Sequence, residues 1–352
     1  YTDKSSKGIY GIAMDTGTGE FTDPELLAEA VSPTYLAANG KGTVMYAASE
    51  PTDDGRGRIS AYVVEPRSGR LNKINEVQAP GRGLCHISLD STDSWLFGVS
   101  YADATVQVYP LRGDGSIGEM VCVRQHCGSG PNKSRQEKAH AHFARLTPDE
   151  KYLCVCDLGM DKLMVYPFIR ETGQLDREFG QASSTEEDLS VDLPDGCGPR
   201  HMVFHPNGKT AYIVTELSSQ VIVLSYCPDR GFAIKQIEDA LPAANPDSTA
   251  AAIRISGDGR FLYTSNRGED SISLFHIDSE TGLLRHIVNI PTQGQHPRDF
   301  ILDHTGSLLL CANQNTDNLL VYRVSAQDGT LTPLREIKGI SMPVCILEWA
   351  GR

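Results

Sequence analysis

Apolar residues in this chain come in short bursts separated by turns rich in Gly, Asp and Pro, and the bursts repeat. One copy opens with Ala251-Ala-Ile-Arg-Ile-Ser-Gly-Asp-Gly259 and continues through Arg260-Phe-Leu-Tyr-Thr-Ser-Asn266 and Ser271-Ile-Ser-Leu-Phe275. It then turns at Ser279-Glu-Thr-Gly-Leu283. A second reads Pro297-Arg-Asp-Phe-Ile-Leu-Asp-His-Thr-Gly306, Leu308-Leu-Leu-Cys-Ala-Asn313, Asn318-Leu-Leu-Val-Tyr322 and Gln327-Asp-Gly-Thr-Leu331. Further copies begin at Pro199, near Ala141, near Leu84 and at Pro33. The bursts have strand length, and alternation such as Val106-Gln-Val-Tyr109 or Leu163-Met-Val-Tyr166 has the period of two that a pleated strand imposes. Copies recur about every 46 to 58 residues, the spacing of a four-stranded propeller blade.

Six full copies leave both ends of the chain unassigned. Met342-Pro-Val-Cys-Ile-Leu-Glu-Trp349 resembles one more inner strand, and Lys7-Gly-Ile-Tyr-Gly-Ile-Ala-Met14 with its turn Asp15-Thr-Gly-Thr-Gly19 resembles a third strand. Joining the termini in one blade would cover exposed sheet edges. The expectation is therefore an all-β, seven-bladed β-propeller with four-stranded blades, a single domain over 1–352, closed by N- and C-terminal strands sharing one blade. This register puts that blade's second strand just before Tyr1, so a few natural residues are expected upstream. Pro24-Glu-Leu-Leu-Ala-Glu-Ala-Val31 contains good helix formers. It nonetheless aligns with Leu71–Val77 and Leu331–Ile337, which predicts an outer strand.

Composition narrows the class. The net charge of −13 and a pI near 5.2 oppose nucleic-acid binding, which needs clustered Lys and Arg to neutralise phosphate. No apolar run is long enough to span a membrane. Several of the nine cysteines lie inside strand patterns, as in Tyr152-Leu-Cys154-Val-Cys156, where a thiol serves as a small hydrophobe. Cys122 and Cys127 lack a second pair to complete a zinc site, so no metal is expected. Reduced thiols fit a cytoplasmic setting.

The repeat also indicates where chemistry can gather. The innermost strand of a propeller blade starts on the face where the loop between its second and third strands emerges. Inner-strand starts read Thr34, Cys85, His142, Arg200, Ala251, Arg298 and Val344; second-strand ends read Glu50, Tyr101, Leu158, Glu216, Arg267 and Gln314. Two long insertions also precede inner strands. Arg124 to Ala139 carries Lys133, Arg135 and Lys138, and Gln181 to Gly198 carries Glu186, Glu187 and Asp188. Arg offers a permanent charge and a planar fork suited to carboxylate or phosphate. His and Glu supply general acids and bases. That set suits an anionic substrate with a developing oxyanion, such as a lactone being opened or closed. Structural alternatives stand beside each assignment. Arg200 and Arg298 could bond carbonyls of neighbouring blades, and Glu216 could hold Arg200 or Arg267. His86 and His201, one residue past the first column, are expected to be packed, and His205 to be solvated.

Several stretches resemble the lactonase seven-bladed β-propellers, which include propeller-type 6-phosphogluconolactonases and the fungal carboxy-cis,cis-muconate lactonising enzyme. They are Tyr1-Thr-Asp-Lys-Ser-Ser-Lys-Gly-Ile-Tyr10, Ala139-His-Ala-His142 with Asp157-Leu-Gly159, and Gly198-Pro-Arg-His201 with Glu216. Ser265-Asn-Arg-Gly268 and His296-Pro-Arg-Asp-Phe300 with Ala312-Asn-Gln314 complete the set. The resemblance implies a catalytic group of His142, Arg200, Glu216 and Arg267. His140, Arg298, Glu50, Gln314 and Lys138 are the expected substrate-binding residues, and no cofactor is expected. The implied activity is hydrolysis of a sugar-acid lactone by a monomer or weak homodimer. A muconate-type cycloisomerase and a non-catalytic ligand-binding propeller are the alternatives.

Overall fold

Among the described residues each full copy of the repeat folds as an antiparallel sheet, five of them with four strands and the third with five. The computed structural model describes residues 2, 4–15, 20–50, 55–175, 190–243 and 245–349. In the fifth sheet Thr249–Ile255, Phe261–Arg267, Ser271–Ile277 and Leu284–Pro291 lie side by side in chain order. The other inner strands are Pro33–Ala38, Leu84–Leu89, Ala141–Leu146, Pro199–Phe204 and Pro297–Leu302. Every residue of the second strands Val44–Ser49, Thr210–Thr215 and Leu308–Asn313 is buried. A strand covered on both faces reads as a continuous apolar run, which is why these bursts lack strict alternation. In the third sheet the outermost position is divided, with Gln174–Leu175 and Val191–Asp192 both pairing with Lys162–Ile169.

The seventh blade is not formed as expected. Gly8–Gly11 pairs with Glu25–Glu29, and Met14–Asp15 with Glu20–Phe21, as two separate two-stranded sheets. No strand occurs among the described residues from Ser341 to Trp349. Two backbone amides of this stretch are engaged by carboxylates: Met342 N–H donates to Asp317 (2.8 Å) and Ile346 N–H to Asp299 (3.0 Å). Among the described residues six blades, not seven, are therefore formed, and the C-terminal stretch adds no strand to a blade shared with the N-terminal one. The 24–31 segment is a strand over Glu25–Glu29, as the repeat predicts. Tyr1, most of the turn after Asp15, and Glu186, Glu187 and Asp188 lie outside the described residues.

Contacts group the chain into two units. One comprises Thr34–Arg200 with Ser225–Ala233; the other comprises the segment up to Pro33, His201–Leu224 and the chain from Ile234 onward. In the first, Phe97, Val99, Val106 and Val108 pack against Ala144, Leu153, Val155 and Tyr166, joining the second and third sheets. In the second unit, Ala252, Tyr263, Ile272 and Leu274 pack against Phe300, Leu309, Cys311 and Leu320, joining the fifth and sixth. Full burial of one such side chain contributes about 1.5–3 kcal/mol.

A recurrent polar link accompanies this packing. An aromatic near the start of a second strand donates to a carbonyl in the outer turn of the following sheet. The first unit has Tyr46 to Gly115 (3.0 Å), Trp95 to Arg170 (3.0 Å) and Tyr152 to Pro228 (3.1 Å). The second unit has Tyr212 to Gly282 (2.9 Å) and Tyr263 to Gly329 (2.8 Å). Burial pushes the Tyr46 phenol up to about 12, with Asp93 and Asp114 adding to the shift, so it stays a donor.

Candidate active site

The inner-strand column is set by a backbone irregularity. Pairing skips one residue between Leu84 and His86, between Ala141 and Phe143, and between Pro297 and Asp299. A fourth skip lies between Ala250 and Ile253. The extra residues are Cys85, His142 and Arg298, with Ala251 inside the fourth, all members of the column. A β-bulge leaves its extra residue out of the ladder and re-aims its side chain. Four of the seven column positions therefore sit at bulges. Simple alternation would misplace these side chains by one residue.

In the first unit the column carries Thr34, Cys85, His142 and Arg200. Thr34 donates to the carbonyl of Leu84 (2.7 Å), and the Cys85 thiol lies 3.5 Å from the carbonyl of His142. These two positions link adjacent inner strands, the structural role weighed above for column arginines. His142 and Arg200 are both buried, at 6% and 3% exposure. Tyr101, from the second column, stacks on His140 with ring centroids 4.3 Å apart and meets His142 edge-on at 5.6 Å. His140 has both ring nitrogens engaged, Nδ1 by the carbonyl of Tyr101 (3.1 Å) and Nε2 by Glu137 (3.2 Å). Its own backbone N–H and His140 hold the Glu137 carboxyl below the usual carboxylate range. Lys138 is exposed, and the half-buried Glu50 places its carboxylate beside Gly83.

Behind His140 lies a group that sequence reasoning missed. Asp157 accepts from the backbone N–H of His140 (2.9 Å) and of Met160 (3.0 Å). Its other oxygen contacts His126 Nδ1 at 2.6 Å, and His126 Nε2 meets the Tyr166 hydroxyl at 2.8 Å. The His126 and Asp157 side chains are fully buried. Asp157-Leu-Gly159 was visible as a motif; His126, 31 residues away, carried no sequence signal. Gly159 has a steric reason, since a Cβ there would stand 1.9 Å from the carbonyl oxygen of Lys138. His86 is sandwiched between Tyr35 and Phe143 at 4.3 and 4.4 Å, packed as expected.

In the second unit Glu216 and Arg267 come together. Their side chains form a 2.9 Å ion pair and are only 5% and 8% exposed. The guanidinium also donates to the carbonyls of Thr249 (3.3 Å) and Ala250 (3.1 Å). Glu216 thus holds Arg267, and the carbonyls that Arg267 bonds belong to its own sheet. Gly268 follows at φ 98°, with a would-be Cβ 2.4 Å from the carbonyl oxygen of Asp247, so this tight turn requires glycine. Arg298 is half-buried at its bulge. The side-chain oxygen of Gln314 is buried with no hydrogen-bond partner among the described residues. His201 is buried. His205, expected to be solvated, is half-buried; it accepts from Asn207 N–H (3.0 Å) and bonds the carbonyl of Gly259 (3.1 Å).

This arrangement has close relatives. The family described as "Lactonase, 7-bladed beta-propeller" matches residues 1–348. A 6-phosphogluconolactonase of Bacillus subtilis is 37% identical over 348 residues, covering 98% of this chain and 95% of that relative. The solved periplasmic gluconolactonase of Pseudomonas aeruginosa superposes with a TM-score of 0.88 at 31% identity, covering 97% of this chain and 95% of that one. A solved protein from Lactobacillus plantarum gives a TM-score of 0.88 at 35% identity, covering 98% and 96%. The family match and the full-length identity agree: this chain belongs to the lactonase family of β-propellers and is a hydrolase.

Proposed function

We propose that this sugar-acid lactone hydrolase opens 6-phospho-D-glucono-1,5-lactone to 6-phosphogluconate, a step of the pentose phosphate pathway. The observation that carries the reading is the buried Arg267–Glu216 pair. A guanidinium fixed in place before substrate arrives stabilises charge developing on a carbonyl oxygen without reorganising. The names of the relatives support the substrate class: one is a 6-phosphogluconolactonase and another a gluconolactonase.

In this reading His142 takes a proton from water, whose oxygen adds to the lactone carbonyl. Arg267 and Arg200 stabilise the oxyanion. The ring C–O bond then breaks, and the proton held by His142 passes to the departing alkoxide. Imidazole suits both transfers because its ordinary pKa lies near neutrality. Glu216 keeps Arg267 oriented. Arg298 and Lys138 bind the phosphate, and His140, Glu50 and Gln314 the sugar hydroxyls.

Lactone loss, followed by dehydrogenase-coupled detection of 6-phosphogluconate, tests the assignment. The wild type should far exceed spontaneous hydrolysis, and Arg267→Ala should lower kcat by about 10²–10³-fold, the scale of a lost oxyanion donor. A wild-type rate no faster than the uncatalysed reaction would end this reading. Equal kcat/KM on the unphosphorylated lactone would move the substrate to that compound. Turnover of carboxymuconate alone, seen by ultraviolet absorbance, would point to a cycloisomerase.

A further inference from the structure

The inner strands are approached through a backbone kink that recurs. The residue two places before the column has a left-handed φ in four copies, Ser32 at 41°, Gly83 at 72°, Gly198 at 62° and His296 at 62°, and Met342 stands at the same place before Val344 at 50°. The loop between second and third strands has its own left-handed residue in five copies: Ala104, Asp161, Ser219, Asp270 and Asp317. At the three Asp positions the two features are tied together. Asp161 accepts from Gly198 N–H (2.7 Å), Asp270 from His296 N–H (2.7 Å) and Asp317 from Met342 N–H (2.8 Å). The first two clasps lie two residues before Arg200 and Arg298; the third precedes Val344.

The Asp161 clasp is the most elaborate. One oxygen accepts from Gly198 N–H and the Gln136 amide (2.7 Å), the other from Gly196 N–H (2.7 Å). Gln136 in turn organises the loop before His140, bonding the amide of Asn132 (3.0 Å) and the carbonyl of Leu158 (2.9 Å). The Asp161 side chain is buried. One carboxylate thus holds the approaches to both His142 and Arg200.

We propose that Asp161 is a positioning residue for the lactonase reaction, setting the backbone that delivers Arg200 through the Gly196 and Gly198 amides. Asp270 plays the same part for Arg298 with one oxygen only. The proposal rests on the roles given above to Arg200 and Arg298. The two clasps differ in a testable way. A carboxylate accepts on both oxygens, whereas an amide accepts on one and donates from the other. Asp161→Asn sets an NH2 against a backbone N–H. In Asp270→Asn the remaining oxygen can still accept from both Gly268 (3.1 Å) and His296.

The full chain is assayed for lactone hydrolysis alongside hydrogen exchange of the 193–200 segment. D161N should expose the Gly196 and Gly198 amides to exchange and lower kcat by roughly 10- to 100-fold, the cost of misplacing a catalytic group by about an ångström. KM should change less than twofold. D270A should raise KM several-fold with little change in kcat. If D161N does not fold, D161E carries the test, because it keeps both acceptors one methylene further out and should lower kcat with the fold intact. Slow exchange at 193–200 in D161N overturns the clasp whatever the activity. Raised exchange with unchanged kcat overturns the positioning role but leaves the proposed function standing. Wild-type kcat in R200K removes Arg200 from the reaction, and the positioning role goes with it.

Discussion

At the scale of single residues, two histidines two positions apart have different surroundings. His140 stacks on Tyr101 and has both ring nitrogens bound by protein acceptors, whereas His142 occupies a bulge at the start of an inner strand. Group roles follow from these surroundings. His142→Gln should lower kcat by about 10²–10⁴-fold, the range for a lost general base. His140→Gln should act mainly on KM and on stability. A steady-state comparison of the two variants decides the matter, and the reverse pattern would exchange their roles. The repeat columns held His142, Arg200, Glu216 and Arg267 among their members, the family resemblance singled them out, and the structure pairs Glu216 with Arg267. The partners were not legible. His126 bonds Asp157 from 31 residues away, and nothing in either local sequence announces the pairing.

Among the elements, strands were easier to read than their irregularities. Turn chemistry and apolar bursts located the six sheets, and repeat alignment read Glu25–Glu29 as a strand against its helix-forming composition. The bulges escaped because a skipped residue leaves no trace in hydrophobic period; its signature is a hydrogen bond that fails to repeat. The aromatic links between sheets are similar, since Tyr in a second strand reads as ordinary core. Tyr263→Phe tests such a link by deleting the hydroxyl bonded to Gly329 and keeping the ring. The unfolding free energy from urea titration should drop by about 1–2 kcal/mol, the usual worth of a buried hydrogen bond and its orphaned partner. An unchanged midpoint would show that the hydroxyl contributes only shape.

For the molecule as a whole, the ends of the chain departed from expectation. The repeat assigned both to one blade, but backbone amides near the C-terminus bond Asp299 and Asp317, and the neighbouring Glu348 pairs with His304 at 2.7 Å. Side chains therefore fasten this segment where a ladder was expected, and a repeat pattern does not register side-chain fastening. The His304 pair also introduces a pH dependence. Glu348, by hydrogen bond and by charge, raises the His304 imidazole above its ordinary value of 6.5. A raised folded-state pKa gives stability that is fully present below the unfolded value and lost as pH rises through the folded one. The pair is exposed, so the effect is small. An NMR titration should place the His304 midpoint above 6.5 and return it there in Glu348→Gln; no change between the two would remove the pair from the account.

The bulge row has a consequence for how this architecture diversifies. A residue outside the ladder can be exchanged without breaking a ladder hydrogen bond, so four of the sheets each offer one position freed from the backbone pairing. Cys85, His142, Ala251 and Arg298 are four occupants of equivalent sockets. New substrate preference can then arise by refilling sockets one at a time, with the surrounding sheets left as they are.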